Sequence, residues 1–262
     1  MQMSVLFAFL ITLGVGLATG IGAIFAFFSK KENTLFLSVS LGFSAGMMIY
    51  LSFMEILPTS INSISKILSC TGFFIGALLI GLIDKGIPNN ENPHEFFHQA
   101  SDLKHLQTEH IRHHLLKTGI FTAFAIGLHN FPEGFATFLS LLEQPQAGVG
   151  IAIAVALHNI PEGIAVSVPI FYATGCRLKA FWYSFLSGLS EPIGALIGYL
   201  TLKPFLSEVV LGMVLSGTAG IMVYIALDEL LPTAKHYNQT HFVIFSTFIG
   251  MFMVAFGLML LP

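Results

Sequence analysis

The sequence predicts an all-α integral membrane protein with eight transmembrane helices. Three observations carry that prediction. Only 10% of the 262 residues are charged and 55% are hydrophobic, whereas soluble domains carry about 25% charged residues. Uncharged runs cover 4–29, 33–54, 67–83, 118–132 and 242–262, and about 20 apolar residues of helix cross the roughly 30 Å hydrocarbon core of a bilayer. The runs are continuous rather than alternating segments of about ten residues, which excludes a membrane barrel.

The elements follow in order. Span 1 is expected over 4–28. No basic residue precedes it and its apolar run is too long for a cleavable signal peptide. Span 2, 34–58, carries Glu55 near its outer end. Span 3, 67–86, is the least distinct, because Gly81, Asp84 and Gly86 thin its end. The longest connection, 87–117, holds six of the ten histidines: His94, His98, His105, His110, His113 and His114. Such tracts bind metals in some proteins and are incidental in solvated linkers in others. Span 4, 118–140, lies between Lys117 and Glu143, and span 5, 146–174, between Glu143 and Arg177. The short turn Glu143–Gln146 makes these two antiparallel neighbours. Span 6, 178–202, has Glu191 near its middle. Span 7, 207–232, carries Asp228 and Glu229 near its inner end, and span 8 covers 241–261. The whole chain, 1–262, reads as one transmembrane domain with the histidine-bearing loop inside it. Cys70 and Cys176 make neither a disulfide framework nor a thiolate metal site.

Lys and Arg are distributed asymmetrically. Nine of the eleven fall in or beside the loops after spans 1, 3, 5 and 7, and only Lys66 and Lys203 on the other side. Cytoplasmic loops carry such an excess, so a multi-pass protein of the cytoplasmic membrane with both termini outside is expected. Lipid surrounds it, and nothing suggests nucleic acid as a partner. Small-residue faces such as Gly72/Gly76 suit helix packing, within the chain or between copies in a homodimer.

Spans 2 and 7 are related. "LGFSAGMMIYLSFMEILPTS" (41–60) aligns without gaps on "LSGTAGIMVYIALDELLPTA" (215–234), with nine of twenty positions identical. The charge rule runs the two in opposite directions. Spans 1–3 and 6–8 are therefore expected to form an inverted repeat, with spans 4 and 5 pairing across the axis and a substrate site near the midplane.

The polar residues converge on that midplane. "HNFPEG" (129–134) and "HNIPEG" (158–163) lie at similar distances on either side of the hairpin turn, so the hairpin brings them to one depth. His and Glu at i and i+4 share a helical face, which pairs His129 with Glu133 and His158 with Glu162. Asn130 and Asn159 reach the same region. Pro132 and Pro161 disturb the helix one turn back, at Leu128 and Leu157, and Gly134 and Gly163 permit close approach. Glu191 adds a third acid. A charged acid at a helix centre costs about 2.5–3.5 kcal/mol on insertion scales, and like charges repel. Two imidazoles, two amides and three carboxylates suit a borderline divalent cation, with shared acids able to bridge two ions. A protonated network that locks the helices together is the plainer alternative.

At these residues the chain resembles the ZIP (ZRT/IRT-like) divalent metal transporters, and most closely their bacterial members. The two hexapeptides, the span count, the outward termini and the histidine-bearing loop carry the resemblance, which covers nearly the whole chain. It implies a 3+2+3 arrangement and a binuclear centre. His129, Glu133, His158 and Glu162 would form one site. Asn130, Asn159 and Glu191 would complete a second, with Glu133 and Glu162 bridging. A methionine from span 2 lines the site in some members; Met48 matches that position best, with Met47 the neighbouring alternative. The expected cargo is Zn2+, with Fe2+, Mn2+ and Co2+ also in range, moved into the cytoplasm. Glu55, Asp228 and Glu229 would form outer and inner vestibules, or are merely solvated helix ends. The chief alternative is a membrane-embedded dinuclear metalloenzyme, against which stand the absence of an HExxH motif and the two-sided access a repeat implies. A metal sensor is the third reading.

Overall fold

The computed structural model describes residues 3–28, 34–85, 108–143, 145–202, 207–237 and 240–260. Every regular element among them is helical. In chain order these are α1 (Val5–Phe28), α2 (Thr34–Leu51), α3 (Leu57–Ser63), α4 (Lys66–Lys85), α5 (Thr108–Glu143), α6 (Pro145–Thr174), α7 (Arg177–Gly188), α8 (Ser190–Leu202), α9 (Glu208–Ile225), α10 (Leu231–Tyr237) and α11 (Thr240–Leu260). Backbone groups in lipid must be satisfied within the segment, and helices do this. Six stretches are long and apolar enough to cross a membrane: Val5–Ile24, Ser38–Ser63, Lys66–Lys85, Pro145–Thr174, Glu208–Lys235 and His241–Met259.

The helices depart from the sequence expectation in three places. Pro58 and Pro232, expected to end spans 2 and 7, end nothing. Five-residue π turns, Ser52–Ile56 and Ala226–Leu230, join α2 to α3 and α9 to α10. Leu57 N–H bonds to Ser52 C=O and Leu231 N–H to Ala226 C=O. The wider turn relieves the clash of the proline ring with the preceding turn, so both helices continue. Span 6 is jointed instead of straight. Leu189 separates α7 from α8, and Glu191 stands in the first turn of α8. Finally, α5 begins at Thr108 rather than at 118, which puts His110, His113 and His114 in its first turns. His94, His98 and His105 lie outside the described residues.

Two connections are tight. Pro145 opens α6, where its missing N–H costs nothing. Between α6 and α7, Gly175 takes φ 67°, a left-handed conformation that glycine adopts without penalty. Its N–H bonds to Phe171 C=O at 2.7 Å, and Cys176 N–H to Thr174 Oγ1 at 3.2 Å. Both cysteines are free thiols.

The antiparallel α5–α6 hairpin is the centre of the molecule, and α6 is the most enclosed of the six long apolar stretches. Around it the contacts come in matched sets. α1 packs on α6, and α8 on α5; α2 packs on α6, and α9 on α5; α11 packs on α2, and α4 on α9. The match extends to single residues. A Cβ on Gly46 would collide with the backbone of Thr247, and one on Gly220 with that of Phe73. The alignment that pairs Gly46 with Gly220 also pairs Thr247 with Phe73. Gly72 and Gly76 face Ser216 and Gly217 of α9, so this small-residue face is used within the chain.

Because lipid is as apolar as leucine, association rests on close packing and interhelical hydrogen bonds. Ser38 donates to Ala234 C=O at 2.7 Å, Ser60 reaches Gly212 C=O at 2.8 Å, and Ser184 contacts the carbonyls of Thr19 and Gly163 at 3.2 and 3.1 Å. Phe74, Leu78, Phe248 and Phe252, on the peripheral α4 and α11, point outward and are exposed, as lipid-facing residues are.

Candidate metal centre

The polar side chains of both hexapeptides are buried within the hairpin. His129, Asn130, Glu133, His158, Asn159, Glu162 and Glu191 are all at most 1% exposed. Neither helix is interrupted: α5 runs through Pro132, and α6 through Pro161 and Pro169. The glycine that ends each hexapeptide admits a neighbour. A Cβ on Gly134 would overlap the backbone of Glu191 in α8, and one on Gly163 that of Thr19 in α1.

The pairing is crossed. His129 Nε2 meets Glu162 Oε1 at 3.1 Å. His158 Nε2 lies 3.2 Å from Glu133 Oε1 and 3.4 Å from Oε2. Each imidazole therefore takes the carboxylate of the opposite helix, not the acid one turn along its own as its spacing suggested. The i,i+4 rule brings His and Glu onto one face; once two such faces meet at the same depth, the shortest His–Glu separation runs between helices.

Asn159 Nδ2 donates to Val15 C=O at 3.0 Å and to Glu191 Oε1, which ties α1, α6 and α8 together at the centre. Glu191 is also within electrostatic reach of Glu133 and Glu162. The three acids thus share one region, as the sequence suggests. Glu229, expected in an inner vestibule, is buried in the second π turn, near enough to His129 for their charges to interact. Glu55 and Asp228 are partly exposed in the two π turns.

Met48 and Met47 are both fully buried. They face different neighbours. Ser44 reaches the His158 carbonyl at 3.5 Å, and Met48 follows it by one turn on the same face. The Met47 backbone lies instead against Gly250 of α11. Met48 is thus the one on the hairpin side.

Polar capacity is left over. His129 Nδ1, His158 Nδ1, Glu162 Oε2, Glu191 Oε2, Asn159 Oδ1 and both amide atoms of Asn130 are buried without hydrogen-bond partners. Each such group costs about 1–3 kcal/mol, and native structures hold few of them. Their concentration at one depth is what a polar ligand accounts for. Among the described residues no three His, Cys, Asp or Glu side chains are gathered ready to hold a metal ion. The histidines engage carboxylates instead.

Sequence comparison bears on the same residues. A family model described as ZIP zinc transporter matches residues 87–261, which include both hexapeptides and Glu191. Proteins called zinc transporter ZupT are similar along nearly the whole length. That of Lysinibacillus sphaericus is 53% identical, covering 100% of both chains. That of Clostridium perfringens is 50% identical, covering 98% of this chain and 96% of its own. That of Streptococcus mutans is 51% identical, covering 97% of each.

Proposed function

The chain belongs to the ZIP zinc transporter family, and we propose that it takes divalent transition-metal cations into the cytoplasm through a binuclear centre on the α5–α6 hairpin. Zinc is the main cargo, in line with the names of its relatives; iron, manganese and cobalt fit the same mixed nitrogen and oxygen donors. The family consists of transporters rather than enzymes, which sets the metalloenzyme reading aside. The observation that carries the proposal is the crossed His129–Glu162 and His158–Glu133 pairing, surrounded by unpartnered buried polar atoms.

The chemistry follows from those pairs. An ionised carboxylate only accepts hydrogen bonds. Each His–Glu contact therefore holds one proton, on one partner or the other. Metal ligation needs imidazole and carboxylate lone pairs free, so loading the site must move that proton: to Nδ1 where the imidazole is neutral, and out of the site where it is charged. His129, Glu133, His158 and Glu162 form the first site. Asn130, Asn159 and Glu191 complete the second, with Glu133 and Glu162 shared between them. Met48 offers a soft thioether on the α2 side. Charge neutralisation by the cation offsets the cost of three acids in one apolar region.

Eight crossings result if α5 and the jointed α7–α8 pair are added to the six long apolar stretches. The matched contacts around the hairpin support a 3+2+3 inverted repeat, the architecture that lets one central site open to either side in turn. The Lys/Arg asymmetry supports outward termini and a cytoplasmic loop 87–117. Uptake of radioactive zinc into proteoliposomes tests the proposal. Metal that binds without crossing would indicate a sensor, and no binding at all would end the reading.

A further inference from the structure

The related segments of spans 2 and 7 each carry a buried methionine. In the gapless alignment of 41–60 on 215–234, Met48 falls on Met222 and, one turn earlier, Ser44 on Thr218. Both methionines are fully buried. Met48 stands on the α6 side of the hairpin.

The surface of α9 divides into two sides. A Cβ on Gly72 of α4 would meet Met213 and Ser216, one on Gly76 would meet Gly217, and one on Gly81 would meet Tyr224; a Cβ on Gly220 would meet the Phe73 backbone. These five residues of α9 are its α4 side. Met222 is two residues from both Gly220 and Tyr224, about 200° around the helix from each, and so stands on the other side. Beyond α4, α9 packs on α5, on α2 and, toward its start at Gly212, on α3 with the π turn before it. Met222 lies midway along the apolar stretch Glu208–Lys235, as His158 does along Pro145–Thr174, which puts it at the depth of the hexapeptides. Two polar groups share its surroundings. The Thr218 hydroxyl, one turn before Met222 on the same face, is buried without a hydrogen-bond partner. Glu229, seven residues on, is near enough to His129 of α5 for their charges to interact. The hairpin is thus flanked by two thioethers, Met48 beside α6 and Met222 toward α5.

We propose that Met222 is a second specificity-determining residue of the transport route: the cation held on the hairpin meets the Met48 sulfur in one orientation of the transporter and the Met222 sulfur in the other. The inference rests on the transport reading above. An inverted repeat puts equivalent residues in equivalent places in the two opposite-facing states. A thioether is a soft ligand and favours soft and borderline cations over Mn2+. A sulfur on each side keeps that preference through the whole cycle, where leucine would only fill the same volume.

The test is uptake from an equimolar mixture of Cd2+ and Mn2+ into proteoliposomes, read as the ratio of the two metals inside by elemental mass spectrometry. The ratio is internal to each preparation, so a smaller amount of folded protein does not move it. Met222→Leu, which removes sulfur and keeps apolar volume, should lower the Cd2+/Mn2+ ratio by at least about threefold. Met222→Ile should repeat the loss with another shape, Met48→Leu should match it, and the Met48→Leu/Met222→Leu double variant should fall below either. Met222→Cys, which keeps a sulfur, should hold the ratio above both sulfur-free variants. The proposal is overturned if Leu and Ile at 222 keep the wild-type ratio, or if Met222→Cys falls as far as they do. A wild type that admits neither metal overturns the transport reading itself; a lowered ratio in Met48→Leu beside a wild-type ratio in Met222→Leu leaves that reading standing and removes Met222 from the route.

Discussion

Glu162 and His129 meet across two helices, so each helix carries half of its neighbour's polar satisfaction. Replacing Glu133 or Glu162 by Ala removes a buried carboxylate and leaves an imidazole unanswered. Zinc uptake should fall by at least ~10-fold while the amount in the membrane fraction is unchanged; retained uptake in either variant would count against the centre. Where the imidazoles are charged in these contacts, zinc added to weakly buffered purified protein should acidify the solution. A flat pH trace would show neutral imidazoles whose proton shifts from Nε2 to Nδ1 on loading. Gly134→Ala forces a methyl into the Glu191 backbone and should destabilise by about 1–3 kcal/mol. Gly14→Ala, with open space around it, should leave the melting temperature in detergent nearly unchanged. The identities of the central polar residues were legible because the hexapeptide occurs twice. The crossing was not, since helical periodicity relates residues only within one helix.

Among the helices, the informative ones are those that break the simplest rule. Pro58 and Pro232 look like stops, and each is instead absorbed by a π turn with an N–H bonded five residues back. Deleting Phe53 should restore α-helical pitch and turn α3 by about 100° relative to α2. With α4 and α9 held by their own packing, Ser60 would then leave Gly212 and Ser69, which it now contacts at 2.8 and 2.7 Å. The expected outcome is a protein that melts well below wild type, measured in detergent against Phe53→Ala. Uncharged runs made the long helices legible, because lipid permits little else. The π turns and the joint at Leu189 were invisible, since both depend on how a proline's neighbours rearrange rather than on the proline itself.

Across the whole molecule, spans 2 and 7 are predicted to run in opposite directions. With Cys70 and Cys176 replaced, a cysteine put in place of Asn62 should react with an impermeant thiol reagent added outside intact cells. One in place of Lys235 should react only after the membrane is opened. Both native residues are exposed. Labelling of the two from one side would contradict the inverted arrangement. The related segments also share a device. π turns stand at aligned places, Ser52–Ile56 and Ala226–Leu230, and each puts the helix beyond it out of step with α-helical pitch. The same change of course is thus built twice, once beside each helix of the hairpin.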